Sequence, residues 1–142
     1  MKKFFILCLM AFVMCNCTKI EDIDNSVEII DCHLSSPNSV GGCDLSISFR
    51  NVSPKTIKYI SFGVDFYNAV GDIVPCEIRG YGFYAKVTGP IDNRYSGYTA
   101  TWNCPIYNWS ARSAKIDYIY IEYMDGTTIE IEEKNLYLIG YF

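Results

Sequence analysis

IDYIYIEYMDGTTIEI, residues 116–131, decides the fold. Two runs of alternating β-branched or aromatic and polar residues flank Met124-Asp125-Gly126. Successive strand side chains point to opposite faces, so alternation marks a strand with one buried face. Asp-Gly supplies the positive φ that a tight hairpin turn demands. The stretch therefore predicts two antiparallel strands, Ile116–Tyr123 and Thr127–Ile131, joined by a short turn.

The same reading extends outward. Leu45–Arg50 alternates with Leu45, Ile47 and Phe49 inward. Asn51–Lys55 is a turn, because Pro54 biases Ser53 away from helix. The longest strand turns Ile60, Phe62, Val64 and Phe66 one way and Ser61, Gly63 and Asp65 the other. Val27–Cys32 reads as a first strand and Asn68–Asp72 as a turn. Ile73–Ile78 reads as a short edge strand, since Pro75 cannot donate to a ladder. The glycine-rich middle predicts a strand near Phe83–Val87, a loop through Thr88–Asn93 and a strand near Tyr98–Asn103. Leu136–Phe142 is a last strand or a tail packed on the sheet. About seven to nine short strands, with no amphipathic helix of convincing length, predict an all-β, antiparallel, immunoglobulin-like β-sandwich over residues 26–142. The immunoglobulin tryptophan is missing from its strand, so the likeness is one of architecture.

The start of the chain carries a different signal. Lys2 and Lys3 precede an apolar run from Phe4 to Met14. That run is shorter than the roughly 20 residues a membrane span needs, and it fits a secretory signal. It ends in Met14-Cys15-Asn16-Cys17 instead of a small-x-small cleavage site. This resembles a bacterial lipoprotein signal of the Bacteroides type, with Cys17 favoured over Cys15 as the modified residue. The usual Leu and small residue before the cysteine are replaced by Met14 and Asn16. The resemblance implies residues 1–16 as signal peptide, a lipid on Cys17 and residues 17–25 as a disordered acidic tether. The acidic stretch Glu21-Asp22-Ile23-Asp24 resembles the export signal that carries such lipoproteins to the outer face of the outer membrane. Periplasmic retention and a plain secretory signal stay open. Several acyl chains on one cysteine give stable membrane attachment where a single chain does not.

Removing residues 1–16 takes away Lys2 and Lys3 and no acid, so the net charge moves from −4 to −6. No basic patch invites nucleic acid or anionic lipid. The partners expected are the membrane, through the anchor, and an envelope protein or glycan.

Four cysteines follow the signal: Cys32, Cys43, Cys76 and Cys104. In an exported protein an even number points to disulfides. HLSSPNSVGG, residues 33–42, is rich in turn formers and favours Cys32–Cys43 across a hairpin, with Cys76–Cys104 as the remainder. Four buried thiols are the alternative. With no CxxC and His33 as the sole histidine, neither zinc nor another metal is expected.

The segments Lys55–Ile60, Phe66–Asp72 and Thr88-Gly89-Pro90, with Trp102, Tyr107-Asn108 and the Ile119–Gly126 end, resemble the FxLYD-like immunoglobulin-fold domains of bacterial exported proteins. Tyr67-Asn68 stands where Tyr-Asp is commoner. The resemblance spans residues 45–131 and implies a fold and an exported setting, with no catalytic residue and no cofactor.

Catalytic patterns are weak. His33 and Cys32 are neighbours, and a strand sends neighbours to opposite faces. Glu130, Glu132 and Glu133 fit a solvated strand face better than a glycosidase pair. Asp72, Asp92 and Asn93 are turn formers before they are calcium ligands. Gly80-Tyr81-Gly82 lacks the Lys-Ser/Thr of a phosphate loop. The aromatic residues are the sharper signal: Tyr81, Phe83, Tyr84, Tyr95, Tyr98, Trp102, Tyr107 and Trp109 crowd the irregular middle. Tyr and Trp are enriched at interfaces, so Tyr98, Trp102, Tyr107 and Trp109 are the candidate binding residues, with core closure as the competing role. The expected function is a lipid-anchored envelope or cell-surface protein with a binding or accessory role and no catalysis. The alternative is a secreted adhesin-like or enzyme-inhibitor module that recognises a protein or glycan through its Tyr/Trp loops.

Overall fold

The computed structural model describes residues 20–93 and 97–141. Cys15, Cys17, Tyr95 and the signal segment lie outside the described residues. Seven strands appear among them: β1 (Val27–Leu34), β2 (Gly42–Asn51), β3 (Ile57–Tyr67), β4 (Phe83–Ile91), β5 (Tyr98–Tyr107), β6 (Ser113–Tyr123) and β7 (Thr128–Glu132). They form two antiparallel sheets, ordered β1-β2-β5 and β4-β3-β6-β7. A constant-type immunoglobulin domain places its fourth strand beside the fifth; here β4 pairs with β3 in the second sheet.

The alternation seen in the sequence sets which face is buried. Leu45, Ile47 and Phe49 are fully buried, as are Ile60 and Phe62, with Val64 and Phe66 close behind. Phe49 meets Phe62 between the sheets with ring centroids 5.3 Å apart and planes tilted by 59°. Each such side chain contributes about 1.5–3 kcal/mol by leaving water. The hairpin forms as expected: Ile119 pairs with Ile131 and Ile121 with Ile129, and Gly126 takes φ 82°.

One buried polar residue ties a corner together. Asn51 donates to the carbonyls of Lys55 and Ile91 at 2.8 and 2.9 Å, and accepts from Ser53 N–H at 3.0 Å. The loop after β2 is thereby fixed to the end of β4.

Three expectations are corrected, and one open alternative is decided. Ile73–Ile78 is no strand: Ile73 bridges Tyr67, Val74 N–H reaches Phe66 O, and Glu77 N–H reaches Tyr107 O. Each contact is single and Pro75 has no donor, so no ladder grows. Thr88–Ile91 belongs to β4 instead of a loop. Gly89 lies so close to the carbonyls of Ile57 and Lys58 that a Cβ would strike backbone, and Pro90 is tolerated because β4 is an edge. The supposed tether is structured from Ile20: α1 (Ile20–Asp24) packs down with Ile23 only 2% exposed. The end of the chain is a 3₁₀ helix, Glu133–Ile139, whose Leu136 and Ile139 are buried, so it is a packed tail.

Candidate functional site

The four candidate aromatics do not gather. Tyr98 and Tyr107 stand at opposite ends of β5, about 30 Å apart for nine residue steps. Trp102 is half-buried and closes the open side of the sandwich, meeting Phe83 edge-on with centroids 6.5 Å apart. Tyr98 rests on Phe49 at 5.6 Å. Trp109, 58% exposed, lies in the turn after β5 with its indole against Gly41, where a Cβ would meet Nε1 at 3.1 Å. Trp102 and Trp109 form no single patch: Trp102 packs against the core from its strand, while Trp109 belongs to a turn.

All four described cysteines are free thiols. The register excludes Cys32–Cys43. Leu34 pairs with Leu45, so Cys43 stands opposite Ser36, four residues beyond Cys32. That is about 13 Å, twice the span a disulfide allows. The hairpin exists, but its turn is placed so that the two cysteines miss each other. Burial, then Asp31, pushes the Cys32 thiol up to about 11. The other three approach one end of the β2–β5 pair. Cys76 Sγ accepts Tyr107 N–H at 3.4 Å, and Cys104 sits at a bulge with φ 48°. Although burial opposes it, the N–H groups of Tyr107, Ile78 and Arg79 and the Arg79 charge lower the Cys76 thiol. Burial raises Cys43, with the nearby Cys104 next in effect.

A tyrosine array lies elsewhere, on the outer face of the β4-β3-β6-β7 sheet. The register sets Tyr84, Gly63, Tyr118 and Glu132 in one row and Lys86, Ser61, Tyr120 and Glu130 in the next. Tyr59 and Tyr67 flank these rows on β3. Tyr84 is 74% exposed; Tyr59, Tyr67, Tyr118 and Tyr120 are half-buried. Cations sit on the rings: Lys86 lies 4.1 Å from the Tyr59 centroid and Lys115 4.9 Å from that of Tyr67. Partial desolvation, then Glu130 and the phenols of Tyr84 and Tyr120, raises the Tyr118 phenol. Gly63 is the low point, because a Cβ there would strike the Asp117 carboxylate. Asp117, the extra residue of a bulge in β6, is raised chiefly by burial and then by Asp65. The missed signal was available: the outward positions of β3 and β6 carry tyrosine where small polar residues would serve.

A second feature is a recess of about 680 Å³ between α1, the turn after β2 and the β6–β7 hairpin. Glu21, Asp22, Ser53, Lys55, Tyr123 and Thr127 are among its lining residues. Lys55 Nζ is held by Asp125 at 2.9 Å and by the Thr127 hydroxyl at 2.8 Å. Tyr123 is 2% exposed, and its phenol oxygen has no hydrogen-bond partner. Burial raises that phenol, and Asp125 and Asp22 raise it further. The Ser53 side chain lies within reach of the phenol and lowers it, and its hydroxyl also accepts Lys55 N–H at 3.1 Å.

Among the described residues no group of three or more His, Cys, Asp and Glu is placed to hold a metal ion. Asp72 and Asp92 serve turns instead: Asp72 takes Asn68 Nδ2, and Asp92 takes the Thr56 hydroxyl at 2.8 Å. The chain matches no protein-family model, no curated protein and no solved structure.

Proposed function

We propose that the chain is a lipoprotein of the bacterial outer membrane, attached through Cys17, whose sandwich binds an envelope partner without catalysis. The tyrosine face is the recognition surface in this reading. One observation carries it: five tyrosines, set among lysines and glutamates, share the solvent side of one rigid four-stranded sheet. Tyrosine offers large contact area, a polar tip and few rotatable bonds, so little entropy is lost when a partner docks. A twisted sheet face holds these groups at fixed spacing. The resemblance to exported FxLYD-like domains and to lipoprotein signals supports the location. No helix among the described residues is long and apolar enough to cross a membrane, and anchoring is assigned to the cysteine. A Cys76–Cys104 disulfide, formed in an oxidising envelope from two thiols that are free in this structure, belongs to this proposal; Cys76 meets the Tyr107 N–H and Cys104 its phenol.

A second reading keeps the adhesin-like or inhibitor role and uses loops. It rests on Trp109, Tyr81 and Ile78, which are 58%, 71% and 71% exposed.

Binding of the fluorescently labelled soluble domain to isolated envelopes tests both. Tyr84→Ala with Tyr120→Ala abolishes saturable binding in the first reading, and Trp109→Ala abolishes it in the second. Separately, Cys17→Ser moves the protein from the membrane to the soluble fraction; unchanged fractionation overturns the anchor.

A further inference from the structure

We propose that the tyrosine face takes up arginine side chains of a basic protein segment, in a trough that runs along β3. The inference rests on the recognition role assigned to that face and names its partner's chemistry. The shape comes from the register. Along β3 the outward residues are Tyr59, Ser61, Gly63, Asp65 and Tyr67, so small side chains lie between two tyrosines. Tyr84 on β4 and Tyr118 on β6 stand on either side of Gly63, and Tyr120 stands beside Ser61. Two strand spacings separate Tyr84 from Tyr118, about 9.5 Å at the backbone. A flat group held between two rings needs about 7–8 Å, so the gap admits the plane of a guanidinium.

The charges select the sign of the partner. Lys58 is taken by Glu122 at 2.7 Å and Lys134 by Glu132 at 2.6 Å. Lys86 and Lys115 are left against Asp65, Asp117, Glu130 and Glu133, and none of these four acids has an ion pair among the described residues. The Asp117 carboxylate lies on Gly63, where a Cβ would strike it, and puts negative charge at the floor of the trough. Beyond the effect of burial, Asp65, Glu133 and Asp117 raise the Tyr67 phenol, and Glu130, with Glu132 after it, raises that of Tyr118.

A second, independent observation is that rings of this array already accept cations. Lys86 Nζ lies 4.1 Å from the Tyr59 centroid and Lys115 Nζ 4.9 Å from that of Tyr67. Among the described residues no cation sits on Tyr84, Tyr118 or Tyr120, so the middle of the array is the part left open. Arginine fits it better than lysine, because a guanidinium stacks flat on a ring and offers a fork of donors to carboxylates at its edge. Other occupants fit less well. A sugar lies on open ring faces, and lysines cap those of Tyr59 and Tyr67. A polyanion meets the wrong charge. A second copy of the chain would set this acidic face against itself.

The test is a ¹H–¹⁵N NMR titration of the protein lacking residues 1–17, which keeps every buried core residue. The probes are an end-blocked peptide of three Gly-Arg repeats, the same peptide with Lys for Arg, and maltohexaose, all at matched ionic strength. Saturable shifts confined to residues 59–67, 84–88, 115–122 and 128–132 are expected with the arginine peptide, and affinity at least about threefold lower with the lysine peptide. Tyr84→Ala, at a residue 74% exposed, weakens arginine binding about fivefold. Glu130→Gln with Asp65→Asn weakens it about threefold or more. Glu21→Gln with Asp22→Asn removes as much charge away from the face and leaves it unchanged. No saturable shift with the arginine peptide, equal affinity for the lysine peptide, equal shifts with maltohexaose, an equal loss in the Glu21/Asp22 variant, or dimers of the free protein that Tyr84→Ala dissociates in sedimentation velocity overturns the inference. Envelope binding that survives Tyr84→Ala with Tyr120→Ala instead removes the recognition role of the face, so the two failures read separately.

Discussion

Tyr123→Phe should stabilise the protein. The ring is 2% exposed, so phenylalanine keeps its packing and its burial. What is removed is a hydroxyl without a hydrogen-bond partner and with Asp125 and Asp22 close enough to raise it. Burying an unpartnered hydroxyl costs about 1–3 kcal/mol. Some relaxation of the Ser53 corner offsets part of this, and a net gain of about 1–2 kcal/mol is expected. Urea unfolding followed by tyrosine fluorescence reads it directly. With the slope unchanged, the midpoint should rise by about 0.5–1 M. Tyr123→Ala is the control: it empties the site and should cost about 3–5 kcal/mol, as large aromatic truncations do. A loss of stability in Tyr123→Phe refutes the reasoning, because the hydroxyl would then be hydrogen-bonded, with Ser53 the neighbour in reach.

Asn51→Ala should cost about 2 kcal/mol, since it strands the Lys55 and Ile91 carbonyls at roughly 1 kcal/mol each, while the Ser53 N–H keeps Ser26 O; a loss below about 1 kcal/mol in urea unfolding would mean that water takes their place. Two carboxylates should move stability in opposite directions with pH. The Thr127 hydroxyl, then Lys55, holds Asp125 down to about 2 from 3.8, so its stabilising contribution is complete above pH 4–5 and fades between about pH 4 and 2. The gap between wild type and Asp125→Asn should therefore close in that window, and a gap that persists at pH 2 contradicts the assignment. Asp117 is raised, so its charged form destabilises; Asp117→Asn should exceed wild type at neutral pH, with the advantage shrinking as acid protonates Asp117 in the folded state. Peptide mapping after mild oxidation should find no Cys32–Cys43 link, and such a link would refute the β1–β2 register.

The fold was legible wherever one face of a strand is apolar. Ile60, Phe62, Val64 and Phe66 announce their own burial, and Asp125-Gly126 announces its turn. Failures came where tertiary contact overrides local pattern. Gly89-Pro90 reads as a loop, yet an edge strand accepts both residues because β4 needs few donors on its free side. Ile23 lies in an acidic run that reads as tether, and only the docking of α1 near the 3₁₀ helix shows it to be a core residue. The candidate site was missed for a related reason. Aromatics in a glycine-rich middle drew attention, while Tyr59, Tyr118 and Tyr120 were hidden among strand residues. Which face a strand residue occupies becomes functional information only when neighbouring strands are registered. Three strands, not one, build the Tyr84–Gly63–Tyr118 row.

The two surfaces also differ in what they can reach. On the proposed attachment at Cys17, three residue steps separate the lipid from Ile20, at most about 11 Å of chain. Helix α1 forms one wall of the recess, so that proposal sets the recess at the end near the attachment. The tyrosine face runs along β3 and β6, whose strands lead away from that end; Tyr123 lies beside the recess and Ser113 at the far end of β6. Ten residue steps of strand span about 33 Å, so on that proposal Tyr67, opposite Ser113, stands well clear of the attachment.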